Sequence, residues 1–384
     1  MASEQLSERR PHVAVIGGGI IGLSVAWECS RQGARVELFE RGAAAGEATR
    51  IAAGMLAPVS ENDPAEPELL ALGLESIAAW PAFAETLERA VGQAASVSAA
   101  TAHGTPLDSA DAPLAGVENP SLVRTDGTLL VARDADEGRW LDREAALLDQ
   151  AGLAYDRLTP SQARKLEPDL APGLRGALLV PGDLSVDPRA VAAALQAAFV
   201  DHGGALHEHT ELAGLDDPRL DGFDRVVVCS GAWPVPGIEP VAQTHPVKGQ
   251  LLMLRDPDHA SREEPIVQRT LRGYNVYVVP RGDGRYAIGA TMEHRGYDRT
   301  VTAWAMHDLL RELFEVVPAA REFVIDETLA GLRPATASGD PLIGPAPGDP
   351  AGDDARVLYA VGHYRNGVLL APATAARIAA LVAY

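Results

Sequence analysis

Cysteine is nearly absent from this chain of 384 residues: only Cys29 and Cys229 occur, too few for a disulfide framework. Cys29 falls in the first helical pattern and Cys229 in the apolar run RVVVCSG. Both read as small buried thiols of a reduced compartment, so the cytoplasm is the expected location. Positive charge is also scarce. The 33 Lys and Arg face 53 Asp and Glu, a net charge of −20, which leaves no basic face for nucleic acid or an anionic membrane. No apolar run reaches the roughly 20 residues of a membrane span, and the opening MASEQLSERRPH lacks the apolar core of a signal peptide. Neither a G-x-S-x-G elbow nor a Walker A string occurs, so hydrolase and NTPase chemistry have no motif to rest on. His207, Glu208 and His209 suggest a metal cluster, but strand alternation sends Glu208 to the face opposite the two histidines. With no third ligand in view, no metal is expected.

What is present is a strand, a glycine turn, a helix and a second strand, in VAVIGGGIIGLSVAWECSRQGARVELFER from Val13 to Arg41. Gly17, Gly19 and Gly22 form G-x-G-x-x-G where the apolar run HVAVI gives way to a helical pattern. The first glycine makes the tight turn, the second lets a pyrophosphate approach bare backbone, and the third lets helix and strand pack closely. The helix N-terminus offers unpaired N–H groups and a partial positive charge to phosphate. Glu40 ends the second strand, where a carboxylate accepts the hydroxyls of an adenosine ribose. Glycine spacing alone occurs often by chance, but here strand, helix and acid are all in place, and a dinucleotide site follows.

The length exceeds the roughly 250–300 residues at which one core stops growing, so two domains are expected. An alanine-rich region with helical patterns such as LLALGLESIAAWPAFAETLERAV runs from about Glu61 to Pro172. A helix-then-strand pattern follows in RAVAAALQAAFVDHGGALHEHTELAGL, and then the buried strand DRVVVCSGAW. GQLLMLR, YNVYVVPR and RYAIGAT alternate between turns, as strands of an antiparallel sheet with one wet face do. RVLYAVG reads as a strand, HYRNG as a turn, VLLAPATAARIAALVAY as a closing helix, and GDPAGDDAR as a surface loop. The expected fold is α/β: a Rossmann-type nucleotide-binding domain built from residues 11–95, 175–240 and 330–384, with an inserted α+β substrate domain, including the antiparallel sheet, from 96–174 and 241–329.

A Rossmann fingerprint does not distinguish nicotinamide from flavin; the rest of the chain does. ERGAAAGEATRIAAGMLAP is a small-residue loop suited to close passage beside a large flat ring. HYRNGVLLAPAT places Gly367 at the mouth of a helix, where amides of about Asn366 to Leu369 would meet the flavin C2 carbonyl and the helix dipole favours the charge gathered there on reduction. With IGGGIIG, AAGML, VKGQ, GATM and GLRP, these strings resemble the amine-oxidising flavoprotein family of D-amino acid oxidase, sarcosine oxidase and glycine oxidase, nearest its glycine oxidase branch of thiamine thiazole synthesis. The resemblance runs from about His12 to Val382. It implies a two-domain fold with FAD between the domains, bound by Gly17, Gly19, Ile20, Ile21, Gly22, Glu40, Arg41, Ala48, Thr49, Ala53, Gly54, Met55 and Leu212 and by the turn His363, Tyr364, Arg365, Asn366, Gly367, Val368 and Leu369. With no cysteine in the C-terminal third, the FAD is expected to be non-covalent.

The same resemblance implies oxidation of a small amino acid or amine to the imino acid, dioxygen being reduced to hydrogen peroxide, in a homo-oligomer of up to four chains. Arg333 matches the arginine that binds the substrate carboxylate, a task suited to its planar fork. Tyr277 matches a second donor to that carboxylate, Arg365 a further arginine near substrate and flavin, and Met292 a pocket-wall methionine. Two positions depart from the pattern. Asn275 stands where relatives carry histidine, so it does not titrate near neutrality, and Ala57 replaces a loop glycine, which would narrow the entry. Two other readings stay open: an FAD-dependent D-amino acid dehydrogenase that passes electrons to a quinone or carrier, and a dinucleotide-binding protein without catalysis, which has no use for a carboxylate clamp.

Overall fold

A computed structural model of the chain describes residues 10–59, 67–101, 121–239, 242–347, 349 and 354–383. Most of GDPAGDDAR lies outside the described residues, as does all but the end of the opening segment.

The first strand, His12–Ile16, is flanked by Arg35–Phe39 and Arg225–Val228, all parallel. Val357–Val361 and Ala205–His207 extend this sheet in the same sense, and Leu342–Gly344 closes one edge antiparallel. Its central strands are apolar on both faces because helices cover them. The helix Ile20–Arg31 packs on the closing helix Ala371–Val382 and on Pro188–Asp201 in the largest core, around Leu23, Trp27, Val36, Leu195 and Ile378. The helix Pro67–Thr101 joins that core through Trp80 and Leu87 and contains Pro81 in its interior.

The second sheet has eight strands in the order Val324–Ala335, His245–Arg255, Arg285–Gly289, Tyr277–Pro280, Thr270–Arg272, Thr128–Ala132, Gly176–Val180 and Asp156–Leu158. All neighbours run antiparallel except Thr270–Arg272 against Thr128–Ala132. One face packs on the helix Ala303–Val316 in a core around Leu252, Ile288 and Leu313. The expected segment bounds shift in three places. Gly176–Val180 and residues 330–335 join this sheet rather than the parallel one, because both pair with its strands, and the helix begun at Pro67 continues past residue 95. Among the described residues no helix is long and apolar enough to cross a membrane.

Candidate active site

A cavity of about 540 Å³ opens between the two sheets, lined at one end by the glycine turn and at the other by Tyr277 and Arg333. Gly17 has φ +108° and its amide donates to the Phe39 carbonyl at 2.8 Å. A Cβ there would stand 2.8 Å from the carbonyl carbon of Cys229, and one on Gly22 would overlap the Gly17 carbonyl oxygen. The bare backbone is therefore a packing requirement as well as a conformational one. Glu40 is held by backbone on both oxygens: Gly18 N–H donates to Oε2 at 2.7 Å and Gly42 N–H to Oε1 at 2.8 Å. That fixes the carboxylate at the cavity wall with lone pairs left over for hydroxyls. The Ile20 amide donates to Thr49 Oγ1 at 2.9 Å, whereas the amides of Gly19 and Ile21, both lining the cavity, have no acceptor among the described residues. They form a polar cradle at a helix N-terminus.

Opposite, the turn after His363 presents the amides of Gly367 and Val368, again without acceptor among the described residues. The long helix pins this turn from behind. Ser76 Oγ and Trp80 Nε1 both donate to the Leu369 carbonyl, at 2.6 and 3.0 Å. Gly54, at φ +83°, lies so close to the Val186 carbonyl that no side chain fits.

At the other end of the cavity Arg333 projects from the edge strand of the eight-stranded sheet. Its Nη1 donates to the Thr291 carbonyl at 3.1 Å and to that of Lys248 at 3.4 Å, and among the described residues no carboxylate pairs with it. Tyr277 stands three strands away on the same face, with its phenol over Gly289. A fixed guanidinium with unused donors, beside a phenol and facing a cavity, is built to receive an anion.

Residues 12–381 match the FAD dependent oxidoreductase family (DAO). The chain belongs to that family. This oxidoreductase is 32% identical to the glycine oxidase of Geobacillus kaustophilus over 97% of its own length and 93% of that protein. It is 31% identical to the Rhizobium etli oxidoreductase named for thiamine biosynthesis, ThiO, over 96% and 95%. The crystal structure of the Geobacillus kaustophilus glycine oxidase superposes with a TM-score of 0.80, covering 97% of this chain and 95% of that one at 31% identity. The enzyme is thus an FAD-dependent oxidoreductase of the glycine oxidase type that oxidises amino acids or amines. The residues present fit FAD: two sets of open amides face the cavity, Glu40 stands ready for a ribose, and Gly17, Gly22 and Gly54 have neighbours that leave no room for a side chain.

Gly17, Gly19, Ile20, Ile21, Glu40, Arg41, Ala48, Thr49, Ala53, Gly54, Met55, Leu212, His363, Tyr364, Arg365, Gly367 and Val368 of this oxidoreductase line the cavity together. Three expected residues do not. Gly22 lies behind the turn as the helix–strand contact, and the Asn366 amide is spent on the His363 carbonyl at 2.9 Å. Leu369 is buried, with its carbonyl turned to the long helix. Met292 lines the cavity at its rim, 64% exposed, where Tyr364 Oη donates to its sulfur at 2.9 Å. Arg365 and Asn275 are likewise exposed at the mouth. Ala57 is buried away from the cavity and does not narrow it. The strand ends at His207, which meets Glu37, while Glu208 accepts from the Ala44 amide and His209 takes a left-handed turn; strand alternation does not apply there.

Arg281 escaped the sequence reading. Its side chain is buried and donates to the carbonyls of Ala53 and Val186 at 2.8 and 2.9 Å and of Ala52 at 3.3 Å, tying the small-residue loop to the eight-stranded sheet. The only sequence signal was a charge after the apolar run YVVP. Arg189 and Arg50 add a second tie, both pairing with Glu327.

The His363 ring is buried and its Nε2 meets Thr374 Oγ1 at 3.0 Å in the closing helix. Burial pushes its pKa from 6.5 down to about 3. The unfolded chain therefore takes up a proton that the folded chain refuses between those values. Stability present above pH 6.5 is lost as pH falls toward 3, at up to about 1.4 kcal/mol per pH unit. The midpoint of urea unfolding should fall between pH 7.5 and pH 5 more steeply in the wild type than in His363→Gln; equal slopes would show that this histidine is not responsible.

Proposed function

We propose that this enzyme oxidises glycine and other short primary or secondary amines to the imino acid, with dioxygen as acceptor and hydrogen peroxide as product, and that the reaction serves thiamine thiazole synthesis. The observation that carries the reading is Arg333: cavity-facing, braced by two carbonyls, and without a carboxylate of its own among the described residues. Glycine oxidase and ThiO names among full-length relatives support it. When bound, FAD supplies the two-electron acceptor that dioxygen regenerates. The chain's task is then orientation, because a hydride leaves a carbon readily beside a neutral amine and needs no strong base. Arg333 grips the carboxylate, Tyr277 adds a second donor, and Ile51 and Met55 bound the space above the sheet. The same reading takes the two sheets as cofactor and substrate domains of a cytoplasmic homo-oligomer.

The test is peroxide release by the FAD-loaded protein on glycine, sarcosine, D-alanine and D-phenylalanine. kcat/KM should be highest for glycine or sarcosine and at least tenfold lower for D-phenylalanine. A bulky D-amino acid as best substrate would replace this reading with a general D-amino acid oxidase. Turnover that needs an added quinone and yields no peroxide in air would replace it with a dehydrogenase.

A further inference from the structure

On the face of the eight-stranded sheet that meets the cavity, glycine occupies three adjoining positions. Gly331 and Gly249 stand directly opposite each other on neighbouring strands, and Gly289, on the strand beyond Gly249, stands between Leu251 of Gly249's own strand and Tyr277 of the one after. None of the three has a positive φ. In a strand interior glycine is disfavoured when the backbone does not require it, so the reason for it lies in space. Above Gly249 lies the guanidinium of Arg333: an added Cβ would stand 2.5 Å from Nη2 and 2.6 Å from Cζ. Above Gly289 lies the phenol of Tyr277, where an added Cβ would stand 2.5 Å from Cζ. Both groups rest on bare backbone, closer than any side chain permits.

We propose that Gly249 and Gly289 are specificity-determining positions: a side-chain-free floor that sets the depth at which the substrate carboxylate seats against Arg333 and Tyr277. The inference rests on the reading of those two residues as the carboxylate grip. Arg333 comes from one edge of the sheet and crosses above the neighbouring strand to donate to Lys248 and Thr291 carbonyls. That course is open only while residue 249 has no Cβ. A methyl group at 249 lifts the guanidinium into the cavity and breaks its bond to Thr291, so an amino acid seats higher and its α-carbon leaves the reacting position. A methyl at 289 does the same to the phenol alone. Both glycines are thus positioning residues that act through the side chains above them.

The probe is glycolate, which carries a carboxylate on a glycine-sized frame without the amine, titrated into FAD-loaded enzyme and followed by the visible flavin spectrum. Gly249→Ala should raise its Kd at least tenfold, with the KM for glycine rising alongside, while FAD content and thermal midpoint stay at wild-type values. Arg333→Ala in the same titration separates the two claims. If that variant binds glycolate as the wild type does, the carboxylate grip itself is wrong. If it loses glycolate but Gly249→Ala keeps a wild-type Kd, the floor is wrong and the grip stands. Should Gly249→Ala yield no flavin-loaded protein, Gly289→Ala decides: a rise of threefold or more supports the floor, and a smaller change overturns it.

Discussion

Replacing Arg333 by alanine should lower kcat/KM for glycine by about 30- to 5000-fold while the protein stays yellow. The range corresponds to about 2–5 kcal/mol, the usual loss when one member of a desolvated charge pair is removed. The geometry justifies that scale. The guanidinium is not a solvated surface charge, for it is half-buried, lies on Gly249 and spends one nitrogen on two carbonyls. Its remaining donors point into a space shared with Tyr277, and no acidic side chain among the described residues competes for them. On the proposed function a substrate carboxylate supplies the missing partner, and deleting the arginine leaves that anion with the tyrosine alone. FAD should remain bound, because the open amides and Glu40 that receive it belong to other elements. The measurement is steady-state kinetics on glycine together with the ratio of flavin to protein absorbance. Near-normal kinetics would move the carboxylate to Arg365, the other expected arginine, although that side chain is exposed at the mouth and stacks no closer than 5.7 Å from the Tyr364 ring.

What was legible in the sequence was local. Gly17, Gly19, Gly22 and Glu40 fall within one strand–helix–strand unit, where spacing along the chain fixes spacing in space, and the structure places them as the pattern requires. Three strands of the eight-stranded sheet, those in GQLLMLR, YNVYVVPR and RYAIGAT, were equally readable from alternation. What the pattern could not convey was direction and long-range contact. A string match puts Met292 and Leu369 near the site, yet which atom of each faces the cavity depends on partners 72 to 293 residues away. Arg281 reaches carbonyls 95 and 228 residues distant, and the pairing of Gly249 with Gly331 needs a register that no local signal carries. Thr49 shows both sides of the matter. Its place in the loop was predictable, but its role in capping the first helix through Ile20 appears only when that loop folds back.

Gly22→Ala should strip FAD from the enzyme more completely than any substitution at the substrate end. Gly22 sits in the first turn of the helix Ile20–Arg31, without positive φ, so alanine suits its backbone and would gain up to about 1 kcal/mol of helix propensity. Space decides against it. The added Cβ would overlap the Gly17 carbonyl oxygen and stand 3.0 Å from the Gly17 carbonyl carbon and 3.3 Å from Cβ of Cys229. These are main-chain and core atoms with no free rotamer to move aside, and overpacking of this kind costs about 1–3 kcal/mol or more. Relief comes only by tilting the helix off the strand. That tilt carries away the Gly19 and Ile21 amides, which have no other acceptor among the described residues, and pulls Ile20 from Thr49. Gly92→Ala is the matched comparison. It lies in the helix Pro67–Thr101, and its Cβ would meet nothing within 4 Å, so flavin content should stay at the wild-type level and thermal stability should hold or rise slightly. For Gly22→Ala the flavin-to-protein absorbance ratio should fall to a small fraction of the wild-type value, and titration with FAD should show a Kd raised at least tenfold. A variant that purifies fully yellow would mean that the first helix can move without disturbing its N-terminal amides, and the pyrophosphate would then have to be held chiefly by other groups.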